Sequence, residues 1–310
     1  QVGVITWVNE PWRVFSAENY PRPIKPGELT DIGTNYLDIC RVSTGICAEG
    51  SKAAQDGIEA VLEGKLPSFA MEYPCHSADQ QRWFTMRVSP LGGQKRGAVI
   101  AHTNITERMR TEGYIRELAF HDPLTNLPNR RLLSDRLTQA MASNKRSGFY
   151  GALMFLDLDD FKSLNDTHGH KVGDSLLIAA ADRLKACVRE MDTVARFGGD
   201  EFVVLVSELV ADRDGSAALA MGVAEKVRVA LSEPYQLIIH RHGQANTTVT
   251  HRCTASIGVA LFLNHKASPD EVCKCADAAM YHAKESGRNS VRFCEPTQLI
   301  FATGRQLPAN

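Results

Sequence analysis

Short apolar runs separated by turn residues fill the first part of the chain. They are "GVITWVN" (3–9), "SFAMEYPC" (68–75), "QRWFTMRVSPL" (81–91) and "RGAVIAHTNIT" (96–106), and the last three are typical of the strands of a meander. Residues 49–65 have the composition of a helix, and polar, proline-rich loops follow the first run. We therefore predict an α+β domain over residues 1–108, with helices on one face of an antiparallel sheet.

A helical pattern joins this part to the rest of the chain over residues 105–121. Ile105, Met109, Ile115 and Leu118 form a broken apolar stripe, and Gly113 weakens the helix in its middle. The spacing fits equally well a linker helix packed on its own domain and a signalling helix paired with its copy in a dimer.

The second part alternates strands and longer helices. Strand patterns occur at 148–161, 193–206 (two strands around Gly-Gly), 253–262 and 289–293, and helical periodicity occurs at 171–188, 216–231 and 268–287. This β-α-β-β-α-β order predicts a ferredoxin-like fold, an antiparallel sheet backed by helices, over residues 122–295. Residues 296–310 form a tail.

Two glycines and two acids interrupt the predicted hairpin in "RFGGDEFVVLV" (196–206). In this topology the first strand neighbours the hairpin, so Asp157 comes to the same edge of the sheet as Asp200 and Glu201. Clustered carboxylates repel one another unless a cation lies between them, and Mg²⁺, with Mn²⁺ as a substitute, also recruits substrate phosphates. The alternative interpretation is an exposed acidic hairpin without a ligand.

Composition narrows the class of protein. A net charge of −1 argues against bulk electrostatic binding of nucleic acid or a membrane, and no apolar run is long enough for a membrane span. The eight cysteines have no zinc-like spacing, and we expect reduced, mostly buried thiols in a cytoplasmic protein, with Cys40 in the core. Because the chain begins at Gln1, we expect it to be truncated, and the missing segment could hold a membrane anchor.

Two resemblances give these patterns a function. Residues 1–108, ending in "NITERMRTE", resemble a PAS sensor domain whose ligand the sequence does not reveal. "DPLTNLPNRR", "FLDLDDFKSLNDTHGHKVGD", "RFGGDEF", "ASIGVA" and "ADAAMYHAKESGRN" occur in the order found in GGDEF diguanylate cyclases and closely resemble that family. The resemblance implies an enzyme that condenses two GTP into cyclic di-GMP and two pyrophosphates.

Roles for individual residues follow from the GGDEF resemblance. It implies Asp157, Asp200 and the backbone carbonyl of Leu158 as Mg²⁺ ligands and Glu201 as a carboxylate that assists at the second metal position. Asp200 is also the base that the family implies for the 3′-hydroxyl, with metal positioning as its main work. The resemblance also implies Lys162 as the cation near the reacting phosphate, and the backbone N–H groups of residues 160–162 as a cradle for the phosphates. The substrate-binding positions it implies are Phe161, Asn165, His170, Asp174, Gly198, Gly199, Lys284 and Arg288. Lys284 and Arg288 are expected one helical turn apart, and Asn165 and Asp174 are expected to recognise guanine.

The same resemblance implies regulation and assembly. "REMD" places Arg189 and Asp192 at the family's inhibitory product site, and the alternative for this pair is a surface ion pair. One site per chain and a two-fold symmetric product imply a homodimer, regulated by the PAS domain. The alternative function is a catalytically silent module that binds GTP or cyclic di-GMP. In "QLIIHRHGQANTTVTHR", His240, His242 and His251 are expected in an exposed hairpin.

Overall fold

A computed structural model describes residues 2–19, 32–42, 50–77, 79–92, 97–239, 247–263 and 267–294. The chain divides into two compact units, Gln1–Ile115 and Arg116–Asn310. This division falls within the predicted linker helix. No helix in the ranges given above is long and apolar enough to cross a membrane.

The first unit contains three helices followed by a three-stranded antiparallel meander. Its elements are α1 (Glu10–Asn19), α2 (Tyr36–Val42), α3 (Ser51–Leu62), β1 (Phe69–Pro74), β2 (Trp83–Pro90) and β3 (Ala98–Asn104), with strand order β1-β2-β3. The meander and α3 confirm the sequence prediction, whereas α1 and α2 lie where only loops were expected.

The predicted strand at residues 3–9 is wrong. Val4 forms one isolated bridge with Asn35, and Ile5 accepts a backbone hydrogen bond from Gly33 at 2.8 Å. The ladder ends there because the chain enters α1 at Glu10. An apolar run without a long partner strand therefore stays irregular, although its composition favours a strand.

The core of the first unit lies between the meander and the helices. Met86 and Val88 on one face of β2 pack with Ile58 and Val61 of α3 and with Cys40 of α2. This arrangement confirms Cys40 as a core residue, and burial raises the pKa of its thiol.

Helix α4 (Thr106–Phe120) confirms the predicted linker helix. Of its apolar stripe, Ile115 and Leu118 are exposed, as is Tyr114 beside them. The helix begins in the first unit and ends in the second.

The second unit is a five-stranded sheet of order β10-β9-β4-β6-β5. Its elements are α5 (Arg130–Ser147), β4 (Gly151–Leu158), α6 (Phe161–His168), α7 (His170–Cys187), β5 (Thr193–Gly198), β6 (Glu201–Val206), α8 (Arg213–Ser232), β7 (Tyr235–Ile239), β8 (Thr247–His251), β9 (Ala255–Phe262), α9 (Pro269–Glu285) and β10 (Val291–Phe293). The order of β9, β4, β6 and β5 is the predicted ferredoxin-like one. The sheet is mixed rather than antiparallel throughout, because β10 pairs in parallel with β9.

Helices cover both faces of this sheet. Met154 and Leu156 of the fully buried strand β4 lie in the core that α7 and α8 complete, while Leu153 and Phe155 lie in the core with α5 and α9. Gly258 lets α9 approach β9 closely, since a Cβ at this position would overlap the carbonyl of Ala276. The central strand is thereby held from both sides at the end where its acids lie.

Two of the cysteines are not in the expected reduced state. Cys275 and Cys294 form a disulfide with a Cα–Cα distance of 5.6 Å, so the expectation of reduced thiols is wrong for this pair. The pair meets because β10 returns the chain beside β9, against which α9 packs.

Strands β7 and β8 form the expected hairpin with His251, whereas His240 and His242 lie outside the described residues.

Candidate active site

The acidic edge of the sheet begins at the end of β4. Asp157 is 7% exposed and lies opposite Glu201 on β6 and Ser256 on β9. The backbone N–H of Leu158 donates to the carbonyl of Asp200 at 3.2 Å, which joins the end of β4 to the turn before β6. The sheet thus brings together Asp157, Asp200 and Glu201 as the sequence predicted, because β4 and β6 are neighbours.

The electrostatics of this edge favour a cation. The ammonium of Lys284 on α9 lies 2.7 Å from Oδ2 of Asp157. Burial nevertheless raises the pKa of Asp157, and Asp200 adds to the effect. Burial, followed by repulsion from Asp157, also raises the pKa of Glu201. Negative charge at this edge is therefore only partly compensated by Lys284.

The turn between β5 and β6 has the geometry that its two glycines predict. The ladder between these strands shifts register between Arg196 and Gly198, and Gly199 has a φ of 51°. A residue with a side chain rarely adopts that conformation, so glycine is required at 199 for the turn itself. Both glycines are exposed, and a Cβ on either one would meet no protein atom within 4 Å. The space above the turn is open for a ligand.

Arg196 holds this turn in place. Its Nη2 and Nε donate to the carbonyl of Gly199 at 2.7 and 3.0 Å, and its Nη1 donates to the Asp122 carboxylate at 2.9 Å. Burial raises the pKa of Asp122, but hydrogen bonds from Thr125 and Arg196 lower it more. Asp122, two residues after the end of α4, is thus hydrogen-bonded to Arg196, which anchors the acidic turn.

The loop after β4, which follows the acidic edge, leads into helix α6. Asp160 has a left-handed φ of 57° and makes no side-chain cap to α6. Lys162 in the first turn of α6 is exposed, while Phe161 packs against the core. The early N–H groups of a helix form a binding site for anions, as the sequence analysis expected for residues 160–162.

Three predicted substrate-binding residues, two of them assigned to guanine, lie around the corner between α6 and α7. His170 begins α7 after Gly169, and Asp174 is one turn later on the same exposed face. Asn165 on α6 lies so close to Gly173 of α7 that a Cβ there would overlap its Oδ1. That oxygen is buried and has no hydrogen-bond partner within the described protein. An unsatisfied buried acceptor of this kind is costly unless a ligand or water completes it.

The two predicted phosphate clamps are arranged differently from the expectation. Lys284 lies within α9, but Arg288 lies beyond the end of the helix and has a left-handed φ of 62°. They are therefore not one helical turn apart, because Gly287 ends the helical path with a φ of 107°. Arg288 is exposed, and its Nε lies 4.0 Å from Oδ1 of Asp160.

Arg189 and Asp192 lie at the opposite end of the hairpin strands. Their side chains form no ion pair in the part of the chain that the structure describes, so the surface ion-pair alternative is not the observed arrangement. The Asp192 carboxylate instead accepts from the backbone N–H groups of Arg189 and Ser207 at 3.0 and 3.2 Å. Arg189 is exposed. Asp192 also lines a surface pocket of 450 Å³ with Arg136 and the fully buried Asn144.

Sequence reasoning missed several residues of the site. Asp159 is 5% exposed directly after the two metal-ligand candidates, and its neighbour Asp160 drew attention only as part of a phosphate loop. Asp277 of α9 was quoted only within a motif, yet burial raises its pKa and it acts electrostatically on Glu201. Helix α5 also went unpredicted, although Asn129 caps it and Leu133, Leu137 and Met141 recur at helical spacing.

The donor set suits a magnesium ion that completes its shell with substrate. The described residues contain no preformed group of three or more ligating side chains. Mg²⁺ needs fewer, because it commonly uses one or two carboxylates and takes phosphate oxygens and water for the rest. The raised pKa values of Asp157 and Glu201 indicate carboxylates whose ionised forms a bound cation would stabilise.

Comparison with known families agrees with this geometry. The family model "Diguanylate cyclase, GGDEF domain" matches residues 119–290, more than half of the chain. The chain belongs to the GGDEF family. The matched segment contains every residue of the acidic edge, the hairpin turn and the α6–α7 corner.

Individual relatives show the same extent of similarity. MucR of Pseudomonas aeruginosa, a bifunctional diguanylate cyclase/cyclic di-GMP phosphodiesterase, is 45% identical over 190 residues, which are 61% of this chain and 26% of MucR. The diguanylate cyclase TpbB of the same organism is 37% identical over 57% of this chain and 38% of its own length. The chain therefore spans well under half the length of these two curated relatives.

Solved structures of GGDEF domains share the fold of the second unit. The GGDEF domain of TpbB is 35% identical with a TM-score of 0.51 and covers 58% of this chain and 98% of its own. The coiled coil and GGDEF domain of DgcB from Caulobacter crescentus, solved in complex with c-di-GMP, is 31% identical with a TM-score of 0.50 and covers 60% and 92%.

Proposed function

We propose that this chain is a diguanylate cyclase, a nucleotidyltransferase that condenses two GTP molecules into cyclic di-GMP and releases two pyrophosphates. The observation that carries the proposal is the acidic edge, where Asp157, Glu201 and the turn with Asp200 meet Lys284 beside an open glycine turn. Membership in the GGDEF family and the named activities of its relatives support the same reaction.

Each bond of the product forms when the 3′-oxygen of one GTP attacks the α-phosphorus of the other and pyrophosphate leaves. Asp157, Asp200 and the Leu158 carbonyl would hold Mg²⁺, which supplies a Lewis acid for the phosphates and lowers the pKa of the attacking hydroxyl. Glu201 assists at the same edge. Lys162 lies at the start of α6, where a cation stabilises charge on the reacting phosphate.

The remaining residues hold the substrate. Lys284 and Arg288 neutralise phosphate charge from the α9 side, and Gly198 and Gly199 leave room for the nucleotide above the turn. Asn165 and Asp174 accept from the guanine N1–H and amino group, with His170 and Phe161 beside them. The buried Oδ1 of Asn165 without a described partner supports this assignment, since guanine would supply the missing donor.

Two such sites facing each other complete one product, so the active species is a homodimer with one half-site per chain. The first unit, with its helices and meander on a common core, acts as a PAS-like sensor that sets the dimer geometry through α4. Product binding at Arg189 and Asp192 provides feedback inhibition. The exposed guanidinium of Arg189 suits the guanine O6 and N7 of the product.

The decisive experiment incubates the full chain, stripped of co-purified nucleotide, with GTP and Mg²⁺ and identifies products by anion-exchange chromatography and mass. We expect cyclic di-GMP and pyrophosphate from the wild type and none from Asp200→Ala. A matched control, Asp182→Ala at an exposed position of α7, should retain full activity. Tight binding of GTP or cyclic di-GMP without product would instead favour the silent binding module, and absence of binding to either nucleotide would refute both functions.

A further inference from the structure

Asp159 is a buried carboxylate for which the proposed reaction has no role. It follows Asp157 and Leu158 at the end of β4 and is 5% exposed. Its Oδ1 accepts from the hydroxyl of Ser256 at 2.7 Å, and its Oδ2 accepts from the hydroxyl of Thr254 at 2.6 Å. Oδ2 also accepts from the backbone N–H of Asn289 at 3.1 Å. The side chain of Asp159 therefore joins the end of β4 to the start of β9 and to the segment after α9.

The backbone of Asp159 is held by the same segment as its side chain. Its N–H donates to the carbonyl of Thr254 at 2.8 Å, and its carbonyl accepts from the thiol of Cys253 at 3.3 Å. The carbonyl of Leu158 belongs to the same peptide plane as the Asp159 N–H and points the opposite way in a trans peptide. Fixing that N–H toward Thr254 therefore fixes the direction of the Leu158 carbonyl, a candidate metal ligand.

The third partner of Asp159 lies in a strained segment. Gly287, Arg288 and Asn289 have successive positive φ angles of 107°, 62° and 41°. For residues with a Cβ this conformation persists only where surrounding contacts hold it. The contacts here include the Asp159 carboxylate on the Asn289 N–H, a hydrogen bond of 2.8 Å from Arg228 to the Asn289 side chain, and a backbone hydrogen bond of 3.1 Å from the Arg288 N–H to the carbonyl of Ala283. Arg288, the proposed phosphate clamp, lies between Gly287 and Asn289.

We propose that Asp159 is a positioning residue that aligns the metal-binding end of β4 with the neighbouring segment that carries Arg288. This inference rests on the proposed function for the meaning of "metal-binding" and "clamp". Asp159 is 5% exposed and its two oxygens accept from three protein donors, so the proposal assigns it no direct contact with substrate or cation.

A carboxylate suits this position because it accepts from all three donors at once and strengthens each bond by its charge. In Asp159→Asn, only one acceptor oxygen remains, and the second carboxylate oxygen is replaced by an NH₂ group, which donates. The Ser256 hydroxyl can turn to accept from the new amide, whereas the Asn289 N–H can only donate. The variant keeps the shape of aspartate but loses the charge-assisted bonds, which are the stronger kind. It should fold while holding the two segments less firmly.

The test uses the full chain with variants Asp159→Asn, Thr254→Val and Thr254→Ser, and Asp166→Asn as a control for loss of an exposed charge on α6. Four quantities are measured: kcat for cyclic di-GMP formation, KM for GTP, the Mg²⁺ concentration for half-maximal binding of a GTP analogue with a methylene between the α- and β-phosphates, and the thermal unfolding midpoint. The analogue cannot turn over, so it separates binding from chemistry.

We expect Asp159→Asn and Thr254→Val to lower kcat and raise the half-saturating Mg²⁺ concentration, each by about 10- to 100-fold, as for loss of groups that orient metal ligands. Thr254→Ser, which keeps the hydroxyl, and Asp166→Asn should match the wild type. If Asp159→Asn does not fold, the comparison of Thr254→Val with Thr254→Ser tests the proposal by the same criteria.

Two results would overturn the inference. One is that Thr254→Val and Thr254→Ser behave alike; the other is that Asp159→Asn lowers the unfolding midpoint but leaves kcat and Mg²⁺ dependence unchanged. If the wild type makes no product, only the proposed cyclase function is refuted, and the positioning role is still open to test. The Mg²⁺ dependence of analogue binding would then decide: a shift in Asp159→Asn supports the positioning role, and no shift refutes it.

Discussion

Gly173 shows how a residue without a side chain can control substrate recognition. A Cβ at this position would overlap Oδ1 of Asn165, so α7 can lie beside the asparagine proposed to bind guanine only because residue 173 is glycine. Gly173→Ala should displace Asn165 and raise KM for GTP about tenfold, the equivalent of one good hydrogen bond to the base, with a smaller effect on kcat.

Steady-state kinetics with GTP would check this prediction. Gly222→Ala on α8 is the matched control, because a Cβ there meets no atom within 4 Å. That helical change should leave KM unchanged and stabilise the fold by up to about 1 kcal/mol. Equal KM values for the two variants would remove Asn165 from guanine recognition.

Glu201 illustrates a conflict between stability and metal binding. Burial and the neighbouring Asp157 raise its pKa, so the folded chain holds the proton more tightly than the unfolded chain does. Stability in the absence of metal therefore falls as pH rises through the raised pKa, and this loss is absent below the ordinary carboxyl range. Glu201→Gln should increase the thermal midpoint without Mg²⁺ above that pKa and have little effect at acidic pH.

The same substitution should reduce cyclase activity by at least about tenfold, since the neutral amide is a poorer partner for a cation. Calorimetry across the pH range, with EDTA and with Mg²⁺, would measure both effects. Added Mg²⁺ should stabilise the wild type more than Glu201→Gln. A variant less stable than the wild type at neutral pH without metal would contradict the electrostatic interpretation.

At the scale of elements, the acidic turn depends on an anchor outside it. Arg196 on β5 binds both the Gly199 carbonyl and Asp122, and the Arg196–Asp122 pair is mostly buried, with side chains 11% and 18% exposed. Lysine cannot reproduce this forked arrangement. Arg196→Lys should destabilise the second unit by about 1–3 kcal/mol and lower kcat, because the turn that presents Asp200 loses its support.

Urea unfolding and cyclase kinetics would measure these effects side by side. Arg213→Lys provides the control, since the side chain of Arg213 is 58% exposed and its Nη1 lies 4.0 Å from Oδ1 of Asp214. We expect it to change stability by less than about 0.5 kcal/mol. If Arg196→Lys has the stability and kcat of the wild type, the anchor has no part in shaping the turn.

The elements also show which parts of the fold can be predicted from sequence. Strand β4 and the hairpin β5–β6 are apolar runs bounded by acids and glycines, so both their existence and their pairing were predictable. The run at 3–9 is equally apolar but lacks a long partner strand, which no local pattern reveals. The position of Arg288 outside α9 depends on the path after Gly287. The three hydrogen bonds to the Asp159 carboxylate depend on residues that are 95, 97 and 130 positions later in the sequence.

At the scale of the whole molecule, one site per chain has a kinetic consequence. The second unit presents a single acidic edge and a single α6–α7 corner in its described residues, while each product molecule needs two GTP held in opposition. Synthesis should therefore require two chains, and specific activity should fall on dilution below the dimer dissociation constant.

Mixing variants tests this requirement directly. A fixed amount of wild type titrated with excess Asp200→Ala chain should lose most of its activity, because wild-type chains become paired with partners whose half-site is damaged. Excess Asp182→Ala chain, altered at a side chain 70% exposed, should add its own activity instead. Product formation would be followed by chromatography, and sedimentation of the same samples would report the assembly. Activity that stays constant with dilution and is unaffected by excess Asp200→Ala would place the complete reaction within one chain, since only then would the state of the partner be irrelevant.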